Sequence, residues 1–111
     1  MLNNLGDRAN RIKADDETID VLLSHGADLQ QEYLIDFLFL GGRDKLMKLE
    51  NELLRQGYVK HPVQRDDSSL LVERNIRLEN MQSHLITESL QNLASEFGLV
   101  FDGWGTTVKK K

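Results

Sequence analysis

The segment that most constrains the fold is residues 31–40, because it is apolar on both faces of an extended chain. Successive side chains of a strand point to opposite faces of the sheet. One face here carries Tyr33, Ile35, Phe37 and Phe39, and the other carries Leu34, Asp36, Leu38 and Leu40. This pattern is typical of a strand in the middle of a sheet that is covered at least partly on each side.

The segments around this strand alternate between helical and extended periods. A first helix, capped by Asp15 or Asp16 and ending near Ser24, precedes it. After it the pattern predicts a helix over residues 43–56, strands over 58–63 and 70–78, a helix over 83–97 capped by Ser83, and a strand over 99–106. The order after the first helix is β-α-β-β-α-β. We therefore predict an α+β fold, a ferredoxin-like sandwich with an antiparallel sheet and an extra N-terminal helix.

The length of 111 residues fits one domain with its own hydrophobic core. We predict a flexible N-terminal arm over residues 1–14, a single ferredoxin-like domain over residues 15–108 and a basic tail over residues 109–111. The arm lacks the apolar core of a secretory signal, and the longest apolar run, residues 37–40, is too short to cross a bilayer. We therefore expect a cytoplasmic protein with no membrane partner.

Composition and spacing argue against most kinds of chemistry. The chain has no cysteine, which excludes disulfides, thiolate catalysis and cysteine-based zinc sites. Its histidines, His25, His61 and His84, show no short metal-ligand spacing. No serine lies in a Gly-x-Ser-x-Gly elbow, and the glycines at 41 and 42 lack the remainder of a phosphate-binding loop. The sequence predicts no catalytic, metal or cofactor site, and a protein that is not an enzyme.

Direct RNA binding is an alternative, because RNA-recognition domains share this strand order. Such domains present aromatic side chains on the first and third strands within a basic surface. The first strand offers Tyr33, Phe37 or Phe39, but the third strand has no aromatic residue. The net charge of −4 and the isoelectric point near 5.3 also disfavour binding to phosphates.

The charge distribution has an acidic stretch. No lysine or arginine occurs between Lys13 and Arg43, whereas acids are frequent there: Asp15, Asp16, Glu17, Asp20, Asp28, Glu32 and Asp36. One interpretation is a solvated helix face with capping acids. The other is an acidic patch that steers a basic partner, an effect that weakens as salt increases.

The last predicted strand contains the only tryptophan, Trp104, between Gly103 and Gly105 and shortly after Asp102. Glycines beside so large a side chain indicate a specific backbone bend. Trp104 either packs across the sheet or against the N-terminal helix, or is partly exposed and anchors a partner, since tryptophan is enriched at interface hot spots.

The run Phe101-Asp102-Gly103-Trp104-Gly105-Thr106 resembles the end of the domain in the regulator of ribonuclease E activity B family. With Gly57-Tyr58 after the second helix, the resemblance spans about residues 37–106. It implies a bacterial cytoplasmic protein of ferredoxin-like architecture that binds ribonuclease E and inhibits RNA cleavage without being a nuclease. The chain departs from the family in its lysines at 109–111, where better-known members have an acidic extension.

These observations predict a non-catalytic protein–protein regulator whose partner is a ribonuclease E-like endoribonuclease. The candidate partner-binding residues are Asp102, Trp104, Asp16, Glu17 and Asp20. The alternatives are a small-ligand-binding or dimerising ferredoxin-like module and, with less support, a direct RNA-binding domain. The sequence leaves homo-oligomerisation open.

Overall fold

The computed structural model describes residues 4–106, with side chains from residue 11 onward. Within that range it contains three α-helices and a four-stranded antiparallel sheet, so the predicted α+β sandwich is confirmed. The elements are, in chain order, α1 (Asn4–Ser24), β1 (Glu32–Leu40), α2 (Arg43–Arg55), β2 (Val59–Lys60), β3 (Ser69–Arg77), α3 (Leu85–Glu96) and β4 (Val100–Gly105). A short 3₁₀ helix, Leu78–Met81, joins β3 to α3.

The strand that is apolar on both faces lies in the interior of the sheet, as predicted. The strand order is β2-β3-β1-β4, and β1 pairs antiparallel with both neighbours. In the register, Phe37 of β1 lies opposite Val72 on one side and Trp104 on the other. The C-terminal strand is therefore held directly against the centre of the sheet.

One face of the sheet forms the core with the three helices. Ile35, Phe37 and Phe39 are fully buried there. Aromatic contacts join separate elements: the Phe37 and Tyr58 rings are 5.5 Å apart edge to face, and the Phe39 and Phe101 rings are 5.2 Å apart. The helices add apolar side chains at helical spacing, among them Ile19, Leu22, Leu46, Leu49, Leu53, Leu90 and Ala94.

The opposite face of the sheet, called here the open face, is half-buried to exposed. It carries the second set of β1 side chains together with Leu71 and Glu73 of β3 and Val100 of β4. Leu34 is 47% exposed and Val100 is 60% exposed. The strand β1 is therefore fully covered on one side only.

The first helix begins at Asn4, so its predicted start at Asp15 or Asp16 is wrong. Asp15 does not cap this helix, because its carboxylate accepts hydrogen bonds from other elements. The helix takes in residues 4–14 of the predicted arm. The predicted basic tail, residues 109–111, lies outside the described residues.

Two further boundaries differ from the prediction. The second strand spans only Val59–Lys60, because Pro62 has no backbone N–H to continue the ladder. The third helix begins at Leu85 with His84, not Ser83, at the N-cap. His84 has a left-handed backbone, with a φ of 64°, and makes no side-chain capping bond.

The glycines around Trp104 mark a β-bulge in β4. The register between β1 and β4 shifts between Leu38, which lies opposite Gly103, and Phe39, which lies opposite Phe101. Asp102 is thus the extra residue of the bulge. Gly103 has a φ of 144°, a conformation that favours glycine, whereas Gly105 has an ordinary backbone. The bend predicted near Trp104 is present and needs only the first glycine.

Candidate functional site

A buried carboxylate, that of Asp15, lies where α1 meets the rest of the domain. Asp15 shares the inward face of α1 with Ile19 and Leu22, at the spacing i, i+4 and i+7. Its side chain is fully buried. A buried carboxylate is costly unless hydrogen bonds satisfy its oxygens.

Donors from three elements meet that carboxylate. The indole Nε1 of Trp104 on β4 donates to Oδ1 at 2.9 Å, and Nε of Arg11 donates to the same oxygen at 3.1 Å. The Thr87 hydroxyl on α3 donates to Oδ2. The Nδ1 atom of His84 lies 3.2 Å from Oδ2. We call Asp15, Trp104, Arg11, Thr87 and His84 the Asp15 network.

The strained backbone of His84 places its ring between two acids of α1. Nδ1 faces Asp15, while Nε2 lies 3.3 Å from Oδ1 of Asp16. A non-glycine residue in the left-handed region is unusual and persists where surrounding contacts hold it. These two contacts fix the start of α3 against the middle of α1.

The Asp15 network contains a threonine, a histidine and an aspartate, but not in the arrangement of a nucleophilic site. A nucleophilic hydroxyl must hydrogen-bond to the base that takes its proton. Here the Thr87 hydroxyl donates to the carboxylate of Asp15, and Thr87 is fully buried. The network therefore has the arrangement of a structural contact that holds α1, α3 and β4 together.

A groove runs beside this network, between α1 and β4. Its volume is about 430 Å³. Ala14, Val21 and Leu22 give it an apolar wall on α1, and residues 102–106 form the other side. Its charged lining residues are Glu17 and Asp102, which are exposed, and Arg11, which is paired with Asp15. We call this feature the α1–β4 groove.

The structure distributes the predicted partner-binding residues in two ways. Asp102, Trp104 and Glu17 all line the α1–β4 groove. Asp16 and Asp20 are exposed on α1 but do not line the groove. Trp104 is only 9% exposed, and its packing against α1 through Asp15 is the first of its two predicted roles.

Sequence reasoning missed the role of three residues. Asp15 was predicted as a helix cap, although its spacing from Ile19 and Leu22 already placed it on the apolar stripe. Thr87 and His84 gave no comparable signal, because their partner is about seventy positions earlier in the chain. Contacts at that separation depend on the fold and leave no local pattern.

Away from the groove, a second set of polar side chains lies on the open face. Asp36, His61 and Glu73 place one ligand atom each within 4.8 Å of one another. These are residue types that could hold a metal ion. No aromatic side chain of β1 lies on this face, since Tyr33, Phe37 and Phe39 all point to the core side. The two central strands thus lack the stacking surface of RNA-recognition domains.

Comparison with known families gives one assignment. The sequence model of the family described as regulator of ribonuclease activity B matches residues 12–106. The matched range includes every member of the Asp15 network except Arg11, and both acids of the α1–β4 groove. A search of curated proteins finds no match to the chain. Within residues 4–106, no helix combines the length and apolar character needed to cross a membrane.

Proposed function

Because this chain belongs to the regulator of ribonuclease activity B family, we propose that it binds a ribonuclease E-like endoribonuclease and inhibits its cleavage of RNA. The observation that carries the proposal is the family match over residues 12–106, nearly the whole described fold. The family is one of regulators and not of catalysts, which supports a role without chemistry of its own. The proposal places the protein in the bacterial cytoplasm.

We propose the α1–β4 groove as the surface that contacts the enzyme. Glu17 and Asp102 come from distant parts of the chain, yet both carboxylates line this groove beside exposed Val21. Asp16 and Asp20 add negative charge on the same helix. An acidic rim around apolar surface fits a partner segment that carries lysine or arginine together with apolar side chains.

Trp104 contributes to this surface mainly by positioning it. Its indole is buried against α1 and Nε1 donates a hydrogen bond to Asp15, so little of its surface is left to contact a partner. The residue holds β4 next to α1 and thereby sets the distance between Asp102 and Glu17. We therefore expect the charged rim, more than the indole itself, to determine affinity for the enzyme.

The test uses purified ribonuclease E, a labelled RNA substrate and the full chain. We expect direct binding and slower cleavage as the protein is added. The double variant Glu17→Gln/Asp102→Asn should bind about three- to tenfold more weakly, mostly through slower association, and its binding should depend less on salt. The matched control Asp67→Asn/Glu96→Gln removes two exposed acids that do not line the groove.

The outcomes separate the two parts of this proposal. Absence of binding together with unchanged cleavage at saturating protein would refute the proposed activity. Binding that the groove variant and the control variant weaken equally would refute the proposed surface while leaving the activity in place. Surface plasmon resonance at two salt concentrations measures both the rate of association and its salt dependence.

A second candidate is self-association through the open face. It is supported by the exposed apolar side chains Leu34 and Val100, which lie on that side of the sheet. Leu34→Glu would then lower the mass measured in solution by sedimentation equilibrium. A monomeric wild-type chain at high concentration would exclude this candidate.

A further inference from the structure

The open face of the sheet brings together three side chains that are far apart in sequence. Asp36 on β1 and Glu73 on β3 are Cα partners across the two strands. His61 follows β2, and its N–H donates to the carbonyl oxygen of Leu71 at 2.9 Å, which continues the pairing of β2 with β3. One ligand atom from each of the three residues lies within 4.8 Å of the others, and all three are half-buried.

The imidazole of His61 has Nδ1 against the backbone of Val63 and Nε2 toward Glu73. The backbone N–H of Val63 donates to its Nδ1 at 3.0 Å, and the carbonyl oxygen of Val63 lies at the same distance from Nδ1. Metal binding through Nε2 uses the tautomer with the proton on Nδ1, in which Nδ1 donates to the Val63 carbonyl oxygen instead of accepting the Val63 N–H. Nε2 lies 3.8 Å from Oε2 of Glu73. A second ring nitrogen that donates to a backbone carbonyl is the usual support for a metal-binding histidine.

The backbone that carries His61 is held in place by Gln64. Its side-chain Nε2 donates to the carbonyl oxygens of His61 at 2.7 Å and Leu71 at 2.9 Å. Its Oε1 accepts the backbone N–H of Leu71 at 3.0 Å. These bonds hold the segment after β2 against β3, so the histidine is positioned before any ligand arrives.

The cluster carries more negative charge than its surroundings offset. Like charges directly opposite each other on two strands are destabilising. The adjacent cationic residues are directed elsewhere: Lys60 Nζ lies 3.5 Å from Glu50, and the Arg74 guanidinium lies 5.3 Å from the centre of the Tyr58 ring. A bound cation would offset the repulsion between the two carboxylates.

We propose that Asp36, His61 and Glu73 bind a divalent first-row transition metal, with Zn²⁺ as the best match. One imidazole nitrogen and two carboxylate oxygens are a donor set that Zn²⁺ accepts, and they leave a coordination position for water or another ligand. Asp36 also lines a depression of about 290 Å³, shared with Leu38, Leu71 and residues of β4. The site lies on β1, on β3 and on the residue that follows β2, and it does not depend on the proposed binding of a ribonuclease.

The experiment uses the full chain after removal of metals with EDTA. Titration with ZnCl₂ in a calorimeter should show one Zn²⁺ bound per chain, and the same addition should raise the melting temperature. His61→Ala and Glu73→Gln should each weaken binding by about tenfold or more, since each removes one of three ligands. Co²⁺ added in place of Zn²⁺ should give a visible absorption band that both variants lose.

The matched control is His25→Ala, which removes an exposed histidine at the end of α1 whose ring contacts the carbonyl oxygen of Val21. Its Zn²⁺ affinity should equal that of the wild type. Circular dichroism shows whether each variant is folded, and the near-isosteric Asp36→Asn provides a third ligand variant. Absence of saturable Zn²⁺ binding by the wild type would overturn the proposal. Equal affinity in the ligand variants and the wild type would also overturn it.

Discussion

The carboxylate of Asp15 receives hydrogen bonds from Arg11 on its own helix, from Thr87 on α3 and from Trp104 on β4. Thr87 and Trp104 are buried, and the Trp104 indole has no other acceptor among the described residues, whereas Arg11 is half-buried. A single residue therefore determines whether three elements can approach closely. Its importance for stability follows from the number of donors that would lose their partner together.

We predict that Asp15→Ala lowers the free energy of unfolding by about 3 to 5 kcal/mol, because it removes the acceptor of the buried Trp104 indole and breaks the ion pair with Arg11. Asp15→Asn should cost less, since one acceptor oxygen remains. The control is Asp20→Ala, an exposed position one helical turn and one residue further along α1, with an expected effect within about 0.5 kcal/mol. Urea denaturation measures all three. Equal losses for Asp15→Ala and Asp20→Ala would contradict the importance of the network.

At the scale of elements, the end of β4 combines a bulge and a tryptophan in a few residues. The bulge makes Asp102 the extra residue, which is exposed, and turns Trp104 toward the core side, opposite Phe37. The unusual φ of Gly103 permits this change of register. The two glycines of the motif therefore have different roles, although they look equivalent in sequence.

We predict that Gly103→Ala destabilises the protein by about 1 to 2 kcal/mol, while Gly105→Ala is close to neutral. A Cβ atom would meet nothing within 4 Å at either position, so the difference isolates the backbone conformation. Thermal and urea unfolding of the two variants provide the measurement. Equal losses of stability in the two variants would show that the backbone conformation of Gly103 does not add to the cost of its substitution.

The elements themselves could be predicted largely from local sequence, and the site only in part. Apolar side chains on both faces of β1 correctly predict its interior position in the sheet. The glycines that follow the helices correctly predict where the helices end. The start of α1 was missed because Asp15 has the sequence character of a cap, yet its partners lie on α3 and β4. Likewise, His61 lies near Asp36 only because their strands belong to one sheet, and the local sequence around either residue does not indicate this proximity.

At the scale of the whole molecule, stability at alkaline pH depends on how deeply the core holds Tyr58. Tyr58 is 4% exposed, and burial raises its pKa above the ordinary value of 10.0, against the opposing effect of Arg74. Between the ordinary pKa of the phenol, which applies to the unfolded chain, and its higher pKa in the folded chain, the unfolded chain has lost the phenol proton and the folded chain keeps it. The free energy of unfolding therefore falls as the pH rises through that window.

We predict that Tyr58→Phe makes this alkaline decline shallower, because the variant has no phenol to ionise while its ring still packs edge to face on Phe37. Urea unfolding from about pH 9 to about pH 11 gives the slope for each chain. Tyr33→Phe is the control, since it removes the other tyrosine hydroxyl, which accepts the backbone N–H of Asp28. Parallel slopes for the wild type and Tyr58→Phe would show that another group governs the decline.

The burial of Trp104 also gives this protein an internal optical reporter. It is the only tryptophan, so all indole emission comes from the junction of β4 with α1. A shielded indole emits at shorter wavelength than a hydrated one. If α1 detaches while the sheet stays folded, fluorescence will therefore shift to the red before circular dichroism records any loss of strand, and the same signal will report a partner that pulls the helix away.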